Sequence, residues 1–373
     1  MKLALIRRQF SATGGAELYL QRLMRSLAEQ NHELHLFTES WTETPANVKL
    51  HPIKISATRA NRGLEFAEAV QNELAKEKFD CVFSLERTLR QDVYRAGDGV
   101  HRVWLERRKQ FVPFWKKSFT GLGVFHKNMT ALETQTFNPQ NTRRIIVNSE
   151  MVKHEILEHF RFPAERIHLV RNGVNVARFQ KGERAETRAR FGVKDDEFLL
   201  LFVGSGWERK GLKFVLAAFE KISGAGFQPA GRQDACPTKI KLLVVGKGRK
   251  PLFISPGVIF SEPANDLENF YAAADLFVFP PIYEPSANVV FEALAAGLPV
   301  VTSANNGAAE IILENVTGSV VKEFWRPEIL AATIKIWMEH PRGVQINAAE
   351  FSLERNVSET LAILEQAAKE KVK

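Results

Sequence analysis

Cysteine is almost missing from this 373-residue chain, which has only Cys81 and Cys236. Two cysteines supply no disulfide framework, which fits a reducing compartment. Cys81 stands in an apolar, strand-like run and reads as a core residue. No stretch of about 18 apolar residues occurs, so no membrane-spanning helix is expected. The opening Met1-Lys2-Leu3-Ala4-Leu5-Ile6 turns basic at Arg7-Arg8. That apolar run is too short for a signal peptide and lacks a cleavage site, so a cytoplasmic location is expected. There is no Asp-x-Asp and no cluster of His and Cys ligands. Neither a bound metal nor another cofactor is therefore expected, and no Ser-His-Asp set can be argued.

What is present is abundant apolar residue. The 45% hydrophobic content over 373 residues is more than one core comfortably holds, so two domains are expected. The 25% charged content is a globular rather than a disordered value. Lys and Arg number 51 against 43 Asp and Glu, a net +8. Such a surplus favours an acidic partner: nucleic acid, anionic lipid or a phosphorylated small molecule.

Short apolar runs alternate with amphipathic segments, and the series occurs twice. Strands are expected at 2–7, 32–38, 80–84, 144–148 and 166–171, with helices at 17–30 and 62–76 and one capped by Ser149 that runs to His159. After a turn at Asn172-Gly173-Val174-Asn175 the pattern restarts. Strands are expected at 198–203, 241–245, 276–279 and 299–303, and helices at 212–222, 266–274 and 289–296, the last stopped by Gly297. Two βα series mean two parallel sheets covered by helices, an α/β protein. The expected domains are 1–172 and 173–356, with a final helix at about 357–371. The stretch 224–238 has no periodicity and interrupts a helix-to-strand connection. It reads as a surface insertion, with an active-site lid as the alternative.

The strongest motif is Glu284-Pro285-Ser286-Ala287-Asn288-Val289-Val290-Phe291-Glu292. Pro285 keeps Glu284 out of the helix, and Ser286 or Asn288 is expected to cap the helix start. Free N–H groups there suit a diphosphate, and the two carboxylates suit sugar hydroxyls. Two solvated surface glutamates are the simpler alternative. The apolar strand before the motif, and the Gly297-Leu298-Pro299-Val300 stretch after its helix, favour a ligand site beyond the strand ends. Arg209-Lys210 lies in the loop after the 198–203 strand, where phosphate contact competes with simple solvation.

The segment from Asp275 to Ser303 resembles the signature of retaining GT-B glycosyltransferases of family 4, and within them the branch that glucosylates the inner-core heptose of lipopolysaccharide. The runs from Val203 to Gly211 and from Asp266 to Asp275 fit the same group. The resemblance implies two Rossmann-like domains with parallel sheets facing across a cleft, the N-terminal one for acceptor and the C-terminal one for a nucleotide-sugar donor. It also implies the final helix packing back on the first domain. Glu284 would then bind donor-sugar hydroxyls, and the backbone of Ser286, Ala287, Asn288 and Val289 would meet sugar and diphosphate. Glu292 would hold the ribose. Arg209 and Lys210 would neutralise the diphosphate and the leaving group. Ser205 stands where many relatives carry Arg, which shifts phosphate charge onto Arg209 and Lys210. Gly14 and Gly15 would face the donor phosphates. The donor implied is a UDP-hexose, with glucose favoured, and the acceptor a lipid-linked saccharide.

On the acceptor side, Asp98 lies where many relatives keep a catalytic histidine, and His101 is its competitor; an ordinary turn remains the third reading. Between Arg102 and Lys127, Trp104, Phe111, Phe114, Trp115, Phe119 and Phe125 interleave with Arg102, Arg107, Arg108, Lys109, Lys116, Lys117 and Lys127. Basic plus aromatic composition suits peripheral contact with an anionic membrane. A solvated, partly packed helical excursion is the alternative. Nucleic-acid binding uses similar residues, but no nucleic-acid motif accompanies them, and no nucleic-acid partner is expected. The reading from another functional class is a non-catalytic, membrane-associated sugar-binding protein of the same fold.

Overall fold

The structure, a computed structural model, describes residues 1–9, 15–41, 47–224, 240–252, 254–340, 343–345, 347 and 350–372. Gly14, Cys236 and all of the 224–238 insertion except Gly224 lie outside them. The chain forms two compact units, residues 1–171 with 354–373, and residues 172–353.

The first unit holds seven strands: β1 (Lys2–Ile6), β2 (Glu33–Thr38), β3 (Val48–Pro52), β4 (Cys81–Ser84), β5 (Gln91–Arg95), β6 (Thr142–Val147) and β7 (Ile167–Leu169). All pair in parallel, in the order β3-β2-β1-β4-β5-β6-β7. Alternation along β1 divides the core. Leu3 and Leu5 join Leu20, Leu23 and Leu27 of the Gly15–Glu29 helix, while Ala4 and Ile6 join Phe66 and Val70 of the Arg62–Leu74 helix. Both faces are thus buried, as parallel sheets require. Cys81 sits in the first cluster, and burial pushes its thiol well above the ordinary range. It is packing, not chemistry.

The Leu353–Val372 helix buries Ile363, Leu364, Ala367 and Ala368 in that same cluster. Thr360 shares a 2.8 Å hydroxyl hydrogen bond with Tyr19, and Lys371 Nζ meets Asp92 Oδ2 at 2.8 Å. Ser149 Oγ accepts from Val152 N and caps the Glu150–Phe160 helix, as its sequence position predicts.

The second unit holds β8 (Phe198–Val203), β9 (Ile240–Val245), β10 (Val258–Ser261), β11 (Leu276–Phe279), β12 (Val300–Ser303) and β13 (Gly318–Val321). Its parallel order is β10-β9-β8-β11-β12-β13. The order reverses between β8 and β11, the switch point at whose C-terminal strand ends sheets of this kind bind their ligands. Arg209-Lys210 follows β8, and Glu284 follows β11.

Candidate active site

The loop after β8 turns through Gly204, Ser205 and Gly206 into the single helical turn Trp207–Lys210. Gly211 ends it at φ +80°, and a Cβ there would lie 1.9 Å from the Pro280 carbonyl oxygen. Only glycine lets the two loops meet so closely. The contact is reinforced where Ile282 N donates to Arg209 O at 2.9 Å. Ser303 Oγ, at the end of β12, donates to Pro281 O at 2.6 Å. Glu284 N donates to Asn305 O, and Gly307 N donates to Glu284 O. The loops after β8 and β12 therefore fix the loop that carries Glu284.

Its side chain meets two cations. Lys210 Nζ lies 2.5 Å and an Arg209 guanidinium nitrogen 3.3 Å from the same Glu284 oxygen. Glu284 is buried, which alone would raise its pKa, but Arg209 and Lys210 outweigh burial and hold the carboxyl below its ordinary value. The three groups sum to one positive charge, so the cluster attracts an anion beyond its own carboxylate.

The following helix spans Asn288–Ala295. Neither Ser286 nor Asn288 caps it, contrary to the sequence expectation. Ala287 is the N-cap, in an extended conformation and without a side-chain cap. The loop is held instead by Asn306 Oδ1, which accepts from Ala287 N and Ala308 N, and by Asn172 Nδ2, which donates to Ser286 O. Ser286 Oγ is buried without a hydrogen-bond partner among the described residues. A buried hydroxyl in that state is suited to a ligand. Val289 and Asn288 are half-buried in the first turn. Glu292, one turn further on, accepts from Tyr271 Oη at 2.9 Å. Ser205 Oγ accepts from Lys247 N at 3.0 Å, a structural role in place of a charge.

In the first unit, β5 ends at Arg95 and a turn exposes Asp98. His101 is half-buried at the start of the His101–Gln110 helix. The Glu133 carboxylate, fully buried, accepts from His101 N at 2.5 Å and from Arg102 N at 3.2 Å. Arg87 reaches both Glu133 and Gly99 O. His101 Nε2 lies 3.0 Å from His126 Nδ1. Burial, then Arg87 and His126, pushes the His101 pKa down to about 4, so the imidazole is neutral near pH 7. Sequence reasoning missed Arg87, His126 and Glu133 here, and Tyr271 and Asn306 in the second unit. Arg87, His126, Glu133 and Tyr271 meet these partners only through long-range folding, so no local motif marks them, whereas Asn306 also caps the Gly307–Ile311 turn.

Comparison with known proteins decides what this arrangement belongs to. Residues 13–178 match the Glycosyltransferase Family 4 model and residues 183–352 the Glycosyl transferases group 1 model. The lipopolysaccharide glucosyltransferase WaaG of Escherichia coli K12 is 25% identical over 336 residues, covering 86% of this chain and 85% of that protein. The crystal structure of WaaG superposes with a TM-score of 0.77 at 24% identity, over 98% of both chains. The chain is a GT-B glycosyltransferase. A D-inositol 3-phosphate glycosyltransferase of Geodermatophilus obscurus is 26% identical over 96% of this chain and 86% of its own length. Anabaena HepE, solved with UDP and glucose, shares the fold at a TM-score of 0.72 and 16% identity, over 98% of this chain and 99% of its own.

The group 1 match spans Arg209, Lys210 and Glu284, which meet in one cluster, and Glu292 on the helix that follows. The glycosyltransferase's other anticipated glycines are less informative. Gly15 opens the Gly15–Glu29 helix, and Gly14 is outside the described residues.

The basic-aromatic stretch divides in two. Arg102 stacks on Phe160 at 4.3 Å and pairs with Glu133, while Arg107 pairs with Glu155. These two cations are half-buried and engaged within the first unit, as the partly packed alternative has it. Trp104, Arg108 and Phe111 are half-buried as well, and other members are outward. Phe114 is 79% exposed, Phe119 72% and Trp115 61%, with Lys109, Lys117 and Lys127 also exposed. No described helix is long and apolar enough to cross a membrane.

Proposed function

We propose that this glycosyltransferase moves a hexose, with glucose favoured, from a UDP-sugar to a lipid-linked saccharide such as the inner-core heptose of lipopolysaccharide, with retention of anomeric configuration. The observation that carries the donor half is the Arg209–Lys210–Glu284 cluster at the β8/β11 switch point. Arg209 and Lys210 take the diphosphate. Their charge stabilises the leaving UDP as the glycosidic bond breaks, which is a gain concentrated in the transition state. No metal is assigned to that task, because two side-chain cations supply the charge. Glu284 and the Ser286 hydroxyl bind sugar hydroxyls, the backbone at Ala287, Asn288 and Val289 meets the sugar and phosphates, and Glu292 accepts from the ribose. UDP bound to HepE supports the choice of nucleotide, and likeness to WaaG supports glucose and the acceptor class.

The acceptor is assigned to the first unit. Asp98 is exposed and anionic, fitted to orient a hydroxyl and to stabilise positive charge at the anomeric carbon. Neutral His101 offers an alternative hydrogen-bonding partner for that hydroxyl. The acceptor oxygen attacks from the face that UDP leaves, which preserves configuration. The exposed rings and lysines of residues 109–127 bring the enzyme to an anionic cytoplasmic leaflet, where a lipid-linked acceptor resides.

The test is UDP release from UDP-glucose with and without a truncated inner-core acceptor, with the anomeric configuration of the product read by NMR. Acceptor-dependent release and a retained α-linkage are expected. UDP-glucose binding without any cleavage would favour the non-catalytic sugar-binding alternative, and an inverted linkage would remove the retaining mechanism.

A further inference from the structure

We propose that His35, His51 and Glu77 bind one divalent transition-metal ion of the zinc class, which fastens the edge of the first unit's sheet. None of the three residues is among those assigned to donor or acceptor, and the site plays no part in the transfer step. His35 is on β2 and His51 on the edge strand β3, where Phe37 is its register partner. Residues two apart on a strand share a face, so both imidazoles lie on one side of the sheet. Glu77 reaches them from the bend between the Arg62–Leu74 helix and β4.

The donor atoms converge. His35 Nδ1 is 2.8 Å from His51 Nε2 and 3.5 Å from Glu77 Oε2, and the ligand atoms of all three lie within 4.8 Å of one another. Two ligand atoms at ordinary zinc distances on a tetrahedral ion sit about 3.3 Å apart. The His35–His51 and His35–Glu77 separations bracket that value, and the His51–Glu77 pair lies within 4.8 Å. Two imidazoles and a carboxylate suit zinc-like ions rather than calcium or magnesium.

The surroundings provide independent support. Fully buried His35 turns its other nitrogen, Nε2, to Glu33 Oε1 at 2.9 Å. A carboxylate on the far nitrogen of a ligating histidine fixes its tautomer and orientation, leaving Nδ1 as the lone-pair donor. Phe37 stacks on His51 at 4.4 Å and holds that ring in place. Lys2 Nζ lies 2.5 Å from Glu77 Oε1 and 3.3 Å from Glu33. It occupies the other Glu77 oxygen, and the two carboxylates still outnumber it. Half-burial of His51 and Glu77 leaves a path for the ion and a water in the remaining position.

The test uses the full chain, stripped with chelator and titrated with zinc chloride by calorimetry, and with cobalt(II) by visible absorption. One equivalent should bind, with the intense d–d bands of a tetrahedral nitrogen–oxygen site and a higher thermal midpoint in zinc. His51→Gln and Glu77→Gln should each weaken binding at least tenfold and abolish the zinc-dependent rise. Glu77 is partly exposed, so its variant keeps the measurement informative if His51→Gln fails to fold. Absence of a one-to-one complex would overturn the proposal. So would binding that survives both substitutions, or binding that is lost in His126→Gln instead.

Discussion

Glu284 owes its charge to Arg209 and Lys210, and they owe their positions to it. In the proposed reaction, removing either cation takes charge from the departing diphosphate, where a single lost donor typically costs about 10²–10³ in rate. Arg209→Ala and Lys210→Ala should therefore lower kcat far more than they raise donor KM in steady-state assays. Normal turnover at saturating donor would remove both from the reaction. The same pairing has a pH signature. The native Glu284 pKa lies below its ordinary value, so its contribution to stability is complete above the ordinary carboxylate range and is lost as pH falls through the depressed value. Lys210→Met should raise the native pKa, lower stability at neutral pH and move the acid-unfolding midpoint upward. An unmoved midpoint, followed by circular dichroism, would mean that Arg209 alone holds the charge. Much of this site is legible in the sequence, because Arg209, Lys210 and Glu284 each follow a buried strand. Their direct contact is not legible, since 74 residues separate Lys210 from Glu284.

At the scale of elements, the site depends on the close approach of the β8 and β11 loops. Gly211→Ala would place a Cβ on the Pro280 carbonyl and force a left-handed conformation that costs about 1–2 kcal/mol by itself. The thermal midpoint should fall, and activity should fall further than stability because Arg209 and Lys210 shift. Wild-type kinetics in that variant would show that the loop approach does not position them. The strands flanking this approach, β8 and β11, carry nearly unbroken apolar runs and have the bounds that periodicity predicts. The strands β3, β10 and β13 escape the same reasoning. β3 is a mostly exposed edge strand without a continuous apolar run, and β10, half-buried along its length, has an apolar run of only three residues, Val258 to Phe260. β13 is buried but has only four residues and opens on glycine. The Pro327–Met338 helix is marked in the sequence by Pro at its first turn and by Glu328. The cap of the Asn288–Ala295 helix was misread because Asn306, from another loop, does the holding that a local Ser or Asn does elsewhere.

For the whole molecule, the +8 charge and the exposed rings of residues 114–125 bear on where the enzyme works. Charge attraction to an anionic leaflet is screened to about 8 Å at physiological ionic strength, whereas ring insertion survives salt. Lys109→Glu with Lys117→Glu should release the protein from anionic liposomes. Trp115→Ser with Phe119→Ser should weaken binding even at low salt, and neither pair should abolish transfer to a soluble acceptor fragment. Wild-type protein that stays in the supernatant in low-salt co-sedimentation would contradict the membrane assignment. The second unit as a nucleotide-sugar site is tested most directly by calorimetric titration of UDP into the wild-type chain and into Glu292→Ala. Wild type should bind one UDP. The variant, deprived of the ribose acceptor, should lose about 1.5–3 kcal/mol, roughly a 10- to 150-fold weakening. Equal UDP affinity in the two proteins would contradict the placement of the nucleotide beside Glu292.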